Sequence, residues 1–461
     1  MARSCVCLDV GSGWVKALGI DGSGEPIGAA VSPSTPDDLL TGVRAAAEAV
    51  GAVEPLLVGR SDRGTELLAC SSAGGGLRLA VVGRERLAAT EAGHRVACSS
   101  GARVVHVEAG ELDPAGVRAL RAGRPDVVLL LGGSGRGRDA ERVLLANASR
   151  LAKARVRAPI VLAAEPDVRA EALALLRSTG RTVVIADAVL PVAGEIACEP
   201  ARRAIAELLP KHLIGGRGSA TTARFRRLAR RSACEAVSAG LAELVRVRGS
   251  DSGAVLVIDV GSSTTDVYSA LPPTGSEAAR NDRRNDRRDG QGNGYCLTVE
   301  ADLGTRIAAP GILVEGQTQS LIDPLEADLL MPTVRRLAET PDFVPDDSGS
   351  RAEDRRLVAL AAVLAARRHL RVAGQPLRDF GVGLVILTGG VFRQPDSGGL
   401  GAIRDTLRAD TVLREVLGGC PVALDDGYAL APAGLLVAAG RPDAARVLLD
   451  TAIAPDVGRH G

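Results

Sequence analysis

Residues 8–20, LDVGSGWVKALGI, align without gaps on residues 258–270, IDVGSSTTDVYSA. In each copy a hydrophobic run ends in Asp-Val-Gly-Ser, passes through small or hydroxyl residues and resumes as a second extended segment. Each copy therefore predicts a strand, a tight turn and a second strand. One Asp-x-Gly-Ser turn occurs in many ordinary hairpins. Two in the same register, 250 residues apart, predict two similarly folded lobes whose turns face one cleft.

A strand that stops at a carboxylate and turns through Gly and Ser gathers backbone N–H groups for an anion, hydroxyls for phosphate oxygens and an Asp able to hold Mg²⁺. Asp9 and Asp259 are the candidate metal anchors. Gly11, Ser12 and Gly13 in one copy, and Gly261, Ser262 and Ser263 in the other, are the candidate phosphate cradle, the glycines letting backbone approach the ligand. Thr264 and Thr265 add hydroxyls for a terminal phosphate. The copies differ where Lys16 matches Asp266. That asymmetry suits nucleotide hydrolysis, with Lys16 neutralising phosphate from one side and Asp266 orienting water from the other, so Asp9, Asp259 and Asp266 are the candidate catalytic carboxylates. Lys16 stands out because the chain has only two other lysines, Lys153 and Lys211. Plainer readings exist: a surface lysine on an edge strand, carboxylates that cap turns, threonines that merely favour strands. A third segment, GLVILTGGVF at 383–392, ends its strand in Thr388-Gly389-Gly390, where a flat adenine and ribose can pass over the backbone. DVVLLLGGSGRGRD at 126–139 is either a second binding turn or a tight strand-to-helix connection.

Short β-like runs alternate with Ala/Arg/Leu-rich helical stretches along the whole chain, which predicts an α/β protein with mainly buried strands. Helices are expected over 36–52, 113–122, 139–154, 167–178, 199–209, 221–246 and 351–372. The domains read as 1–60, the start of an N-terminal lobe; 61–215, an α/β insertion or elaboration; 216–250, a helical connection; and 251–461, a C-terminal lobe. Residues 272–294 read as a mobile, solvated loop. With 56 basic against 55 acidic residues and aromatics at 2%, the chain lacks both the charge and the stacking platforms of a nucleic-acid binder. The opening residues show no leader, and the apolar runs fall well short of the roughly 20 residues that span a bilayer. A cytoplasmic protein without nucleic-acid or membrane partners is expected. Its eight cysteines are expected to be reduced, Cys5-Val6-Cys7 lacking the second pair a metal site needs.

DVGSGWVK resembles the first phosphate motif of the actin, Hsp70 and sugar-kinase superfamily, IDVGSSTTDVYS the second, and VILTGGVF the adenosine motif. Within that superfamily, LLACSSAGGGLRLAVVG (67–83), RPDVVLLLGGSGRG (124–137), EADLGTRIAAPGI (300–312) and DDGYALAPAGLL (425–436) resemble, in order, segments of the glutamate mutase accessory proteins of the MutL/GlmL type, unrelated to mismatch repair. The likeness covers most of residues 5–440. Two departures stand out: Gly261-Ser262-Ser263 where the family usually has Gly-Gly-Ala, and GGSGRG at 132–137 where it has a GGTDGG-like turn. The resemblance implies duplicated actin-like (RNase H-like) ATPase lobes around a nucleotide cleft, ATP and Mg²⁺ as cofactors, and a reactivating chaperone serving an adenosylcobalamin-dependent mutase. The chain is not expected to be the mutase, since none of His94, His106, His212, His369 and His460 lies in an Asp-x-His-x-x-Gly cobalamin motif. A small-molecule kinase and a nucleotide-governed actin-like scaffold are the alternatives.

Overall fold

The computed structural model describes residues 4–35, 38–51, 65–72, 77–100, 102–132, 138–191, 196–208, 225, 228–229, 231–272, 295–393, 398–425 and 427–453. All but the first residue of the solvated loop expected at 272–294, and most of the Gly-rich turn at 132–137, lie outside these residues. In chain order the strands are β1 (Cys5–Val10), β2 (Trp14–Ile20), β3 (Pro26–Pro33), β4 (Glu66–Ser71), β5 (Leu77–Gly83), β6 (Ala102–Ala109), β7 (Val127–Leu131), β8 (Ile160–Ala163), β9 (Val183–Ala186), β10 (Arg231–Ser232), β11 (Ala254–Val260), β12 (Thr265–Ala270), β13 (Tyr295–Glu300), β14 (Val382–Thr388) and β15 (Val422–Leu424).

The chain divides into two compact units, Met1–Gly75 with Ile214–Gly461, and Gly76–Leu213. The first unit contains both copies of the repeat, and each copy nucleates a five-stranded sheet. One sheet runs β3-β2-β1-β4-β10 and the other β13-β12-β11-β14-β15. In both, the first three strands form an antiparallel meander and the fourth and fifth add in parallel on the other side. Counted within each lobe the order is 3-2-1-4-5 twice. The central strands are apolar on both faces, Ala254 to Ile258 being fully buried, as expected for strands covered by helices on each side.

In the C-terminal lobe the helix Ser348–Phe380 covers one face. Sequence periodicity places its core at 351–372, and its apolar run 357–366 is buried throughout. The helix continues past Val372 through Pro376. On the other face lie two helices that occupy equivalent positions in the two lobes: Ala233–Arg248, which follows β10, and Leu430–Ala438, which follows β15. They cross with their backbones in contact. A Cβ on Gly240 would lie 2.0 Å from the Leu430 carbonyl oxygen, and one on Gly434 would lie 1.8 Å from that of Ala236. The single helix expected over 221–246 is not formed: Arg231–Ser232 is a short strand paired to β4, and Ser232 then caps the helix in a reciprocal box with Glu235. The pairing with β4 overrides a local helical pattern.

The second unit is an all-parallel sheet ordered β6-β5-β7-β8-β9. Leu79, Val81 and Leu129 pack on one side, and Ala80, Val82, Val128 and Leu130 on the other. Helices Arg86–Ser99, Pro114–Ala122, Arg138–Lys153, Pro166–Arg177 and Glu199–Leu208 alternate with the strands. Gly132, at the end of β7, sits where a Cβ would be 2.8 Å from that of Ala164, so close packing accounts for the first glycine of that run. No described helix is long and apolar enough to cross a membrane.

Two outcomes follow from this packing. Gly434→Ala must push the crossing helices apart, and overpacking of this kind costs about 1–3 kcal/mol or more; a lowered melting temperature checks it, and an unchanged one shows the crossing to be pliant. His369, wholly buried, bonds Thr298 Oγ1 at 3.0 Å and Ser269 Oγ at 2.9 Å, and burial lowers its pKa to about 3. Unfolded imidazole takes a proton near pH 6.5, whereas the folded one resists to about 3. Stability from this group is therefore complete above pH 6.5 and falls by about 2 kcal/mol between pH 6.5 and 5. Chemical denaturation across that range should show the slope in wild type and its reduction in His369→Gln.

Candidate functional site

The two turns are built alike. Gly11 N–H donates to the Trp14 carbonyl at 2.9 Å, and Gly261 N–H to that of Thr264 at 2.9 Å. Asp9 pairs across its hairpin with Lys16, and Asp259 pairs with Asp266. The turns meet at their tips, where Ser263 Oγ donates to Ser12 Oγ at 2.9 Å. A Cβ on Gly13 would stand 2.8 Å from Ser262 Oγ, so glycine is what lets the turns come this close.

Each turn is braced from behind. Ser34 donates its hydroxyl to the Gly11 carbonyl at 2.8 Å and its N–H to that of Gly13 at 2.9 Å. In the other lobe Thr305 N–H reaches the Gly261 carbonyl at 3.0 Å and Arg306 N–H reaches that of Ser262 at 2.9 Å. The Arg306 guanidinium is locked to Asp354 by two bonds of 2.7 and 3.2 Å, both residues buried. This fork ties the second turn to the long helix. Thr265 is fully buried and donates to the Leu303 carbonyl at 2.7 Å, so it supports the turn from within and does not face the cleft. Thr388, opposite Asp259 in the β11–β14 register, is also buried. Gly389 follows with φ of 129°, and a Cβ there would strike the Val260 carbonyl oxygen at 2.2 Å. Only glycine carries the chain past the end of β11 at this point.

Lys16 lies on β2, an interior strand, and its side chain is 16% exposed; the surface-lysine reading does not hold. Its ammonium bonds Asp9 Oδ2 at 2.9 Å. Burial alone would lower its pKa, but the Asp9 and Asp259 carboxylates outweigh that and hold it charged. Burial pushes the Asp259 carboxyl up, Lys16 opposes and Asp9 adds to the rise. Asp266 goes further, to about 7, through burial and the charge of Asp259. Its Oδ1 is buried without a hydrogen-bond partner, while Oδ2 accepts from the Cys234 thiol at 3.7 Å and the Tyr268 hydroxyl at 3.5 Å.

Two residues here were not singled out from sequence, although both lie in the DDGYALAPAGLL segment. Asp425 is buried, accepts from the N–H groups of Ala429 at 2.6 Å and Leu430 at 3.3 Å, and is raised to about 6 by burial, with those bonds and Lys16 opposing. Tyr428 places its ring under Lys16, 4.4 Å from centroid to Nζ. An Asp five residues before a helix, accepting the N–H groups at its start, is a legible cap; a ring that reaches a lysine of the other lobe has no local signature.

Asp9, Asp259 and Asp425 thus act on a single ammonium, and Asp266 stands beside Asp259. An excess of carboxylate over cation, an orphaned Asp266 oxygen and two glycine turns tipped by serines fit a divalent cation and a polyphosphate. Among the described residues no three His, Cys, Asp or Glu side chains group as a metal site. Mg²⁺ commonly uses one or two carboxylates and completes its shell with phosphate and water, which Asp9 and Asp259 would allow.

Two lobes of identical 3-2-1-4-5 order, whose Asp-Val-Gly-Ser hairpins meet at their tips, define the actin-like ATPase fold of the sugar kinases and their relatives. Within that class the chain belongs to the MutL protein family, whose model matches residues 5–453. Protein MutL of Clostridium tetanomorphum is 27% identical over 385 residues, covering 81% of this chain and 80% of that one. Among solved structures, gluconate kinase from Lactobacillus acidophilus is 11% identical with a TM-score of 0.36, covering 99% of this chain and 93% of that one. A ROK family glucokinase from Streptomyces griseus, in complex with glucose and AMPPNP, is 12% identical with a TM-score of 0.33, covering 96% and 98%. Strand order and the family match carry the assignment.

Burial and the Asp259 charge raise the metal-free Asp266 carboxyl to about 7, and a divalent cation at Asp259 would draw it back down. A carboxyl signal of Asp266 that titrates near 7 without metal and moves down when Mg²⁺ is added checks this; a signal that does not move places the cation elsewhere.

Proposed function

We propose that the chain is a Mg-ATP-dependent ATPase that acts as an accessory, reactivating chaperone for an adenosylcobalamin-dependent mutase. The observation that carries the nucleotide part is the tip-to-tip meeting of the two matched turns at Ser12 and Ser263. Phosphate oxygens entering there exchange that bond for hydroxyl and N–H donors from both lobes. Asp9 and Asp259 hold the metal, Lys16 neutralises phosphate from the first hairpin, and Asp266 orients the attacking water from the second. Thr388, Gly389 and Gly390 border the nucleoside side, and Ser262, Ser263 and Thr264 line the turn.

A γ-phosphate held by both turns bridges the lobes, and its loss on hydrolysis releases them. Closure is then a two-state element biased by nucleotide. Membership of the MutL family supports a mutase as the protein on which such a cycle acts. The Gly76–Leu213 unit is not needed by either 3-2-1-4-5 lobe, and in this reading it supplies surface to grip that partner.

The test mixes the protein, ATP, Mg²⁺ and free adenosylcobalamin with a glutamate mutase inactivated by bound hydroxocobalamin. Recovery of mutase activity that requires ATP, and fails with Asp259→Ala, is the expected result. ATP turnover indifferent to the mutase, with stoichiometric phosphorylation of a small metabolite, would replace this reading with a kinase.

A further inference from the structure

We propose that Tyr428 is the positioning residue for Lys16, its ring giving the ammonium a neutral seat in the cleft once Asp9 is drawn to a metal. The proposal rests on the Mg-nucleotide reading of the same site. Lys16 Nζ stands 4.4 Å from the ring centroid, within the roughly 6 Å over which a cation is attracted to a ring face. The chain has only four Phe, three Tyr and one Trp in 461 residues, so an aromatic face beside a cleft lysine is not background.

The ring is also held in place. Tyr428 is 6% exposed and adopts φ of 53°, a left-handed conformation uncommon for a bulky residue. It is fixed between Asp425 and the Ala429 and Leu430 N–H groups that Asp425 accepts. The phenol oxygen and Trp14 Cδ1 each lie 4.0 Å from where a Cβ on Gly390 would be. The face of the ring therefore meets Lys16 while its edge points to the third motif.

A ring suits this task better than a further carboxylate would. Asp9 bonds Lys16 at 2.9 Å and is also the candidate metal anchor of that hairpin. When a divalent cation engages Asp9, Lys16 loses its hydrogen-bonded carboxylate, Asp259 acting on it only through space, and its ammonium must be seated by something else. Another carboxylate would hold it but cancel the positive charge that phosphate needs. A ring quadrupole attracts the ammonium and leaves the charge available. Tyr428 belongs to the C-terminal lobe and Lys16 to the N-terminal one, so the seat forms only while the lobes keep this approach.

The test measures Mg-ATP affinity of the full chain by calorimetry. Tyr428→Leu should raise the dissociation constant roughly five- to tenfold, and Tyr428→Phe, which keeps the ring, should recover most of the loss. Phenylalanines bearing one, two and three fluorines at position 428 should raise it stepwise, because fluorine drains the ring face with little change of shape; this series needs no folded Leu variant. Lys16→Ala/Tyr428→Leu should bind as Lys16→Ala does. A flat fluorine series, or fully additive losses in the double variant, overturns the seat while the phosphate role of Lys16 stands. If Lys16→Ala itself binds as wild type does, the Mg-nucleotide reading falls and the seat with it.

Discussion

The contact on which the two-lobed unit depends is a crossing of two helix backbones. Gly240 and Gly434 leave no room for a single carbon between Ala233–Arg248 and Leu430–Ala438. Each helix follows the fifth strand of its own lobe, so the crossing joins the lobes at equivalent points. Around it one apolar cluster draws on both, with Cys5, Cys7, Leu18 and Ile20 from the first sheet and Val255, Val257 and Tyr268 from the second. Close-packed interiors transmit displacement and do not absorb it. The approach of the Ser12 and Ser263 turns, and the reach of Tyr428 to Lys16, are therefore set by this packing.

Within that frame the site is arranged as paired opposites. The first hairpin sets Asp9 against Lys16 and leaves a neutralised, hydrogen-bonded pair. The second sets Asp259 against Asp266, two carboxylates without a cation between them, and burial raises both. One hairpin thus carries a paired charge, and the other two buried carboxylates that hold their protons more tightly than usual. The scaffold bracing these hairpins is stiffer than a turn alone: Ser34 holds the first, and the Arg306–Asp354 fork holds the second to the helix Ser348–Phe380. Breaking that fork at one end would leave a buried charge uncompensated, which costs about 3–5 kcal/mol.

Much of this was legible in the chain. The repeat carried the two hairpins, because a hairpin is local and its alternation and turn residues are written in consecutive positions. It also carried the match of Lys16 with Asp266, since register within a hairpin is fixed by turn length. The α/β class followed from the alternation of strand and helix patterns. The 221–246 segment was misread because pairing of Arg231–Ser232 with β4 is a long-range event that its own composition does not announce.

What only the tertiary structure decided is whatever joins residues distant in sequence. That β2 is interior, which makes Lys16 a buried cation, depends on β3 pairing beside it. Thr265 turns its hydroxyl inward because Leu303 lies behind it. Asp425 and Tyr428 enter the site because β15 lies beside β14, which lies beside β11. The physical reason is range: propensity and periodicity act over a few residues, whereas the field at a buried carboxylate and the face a ring presents are set by neighbours hundreds of residues away.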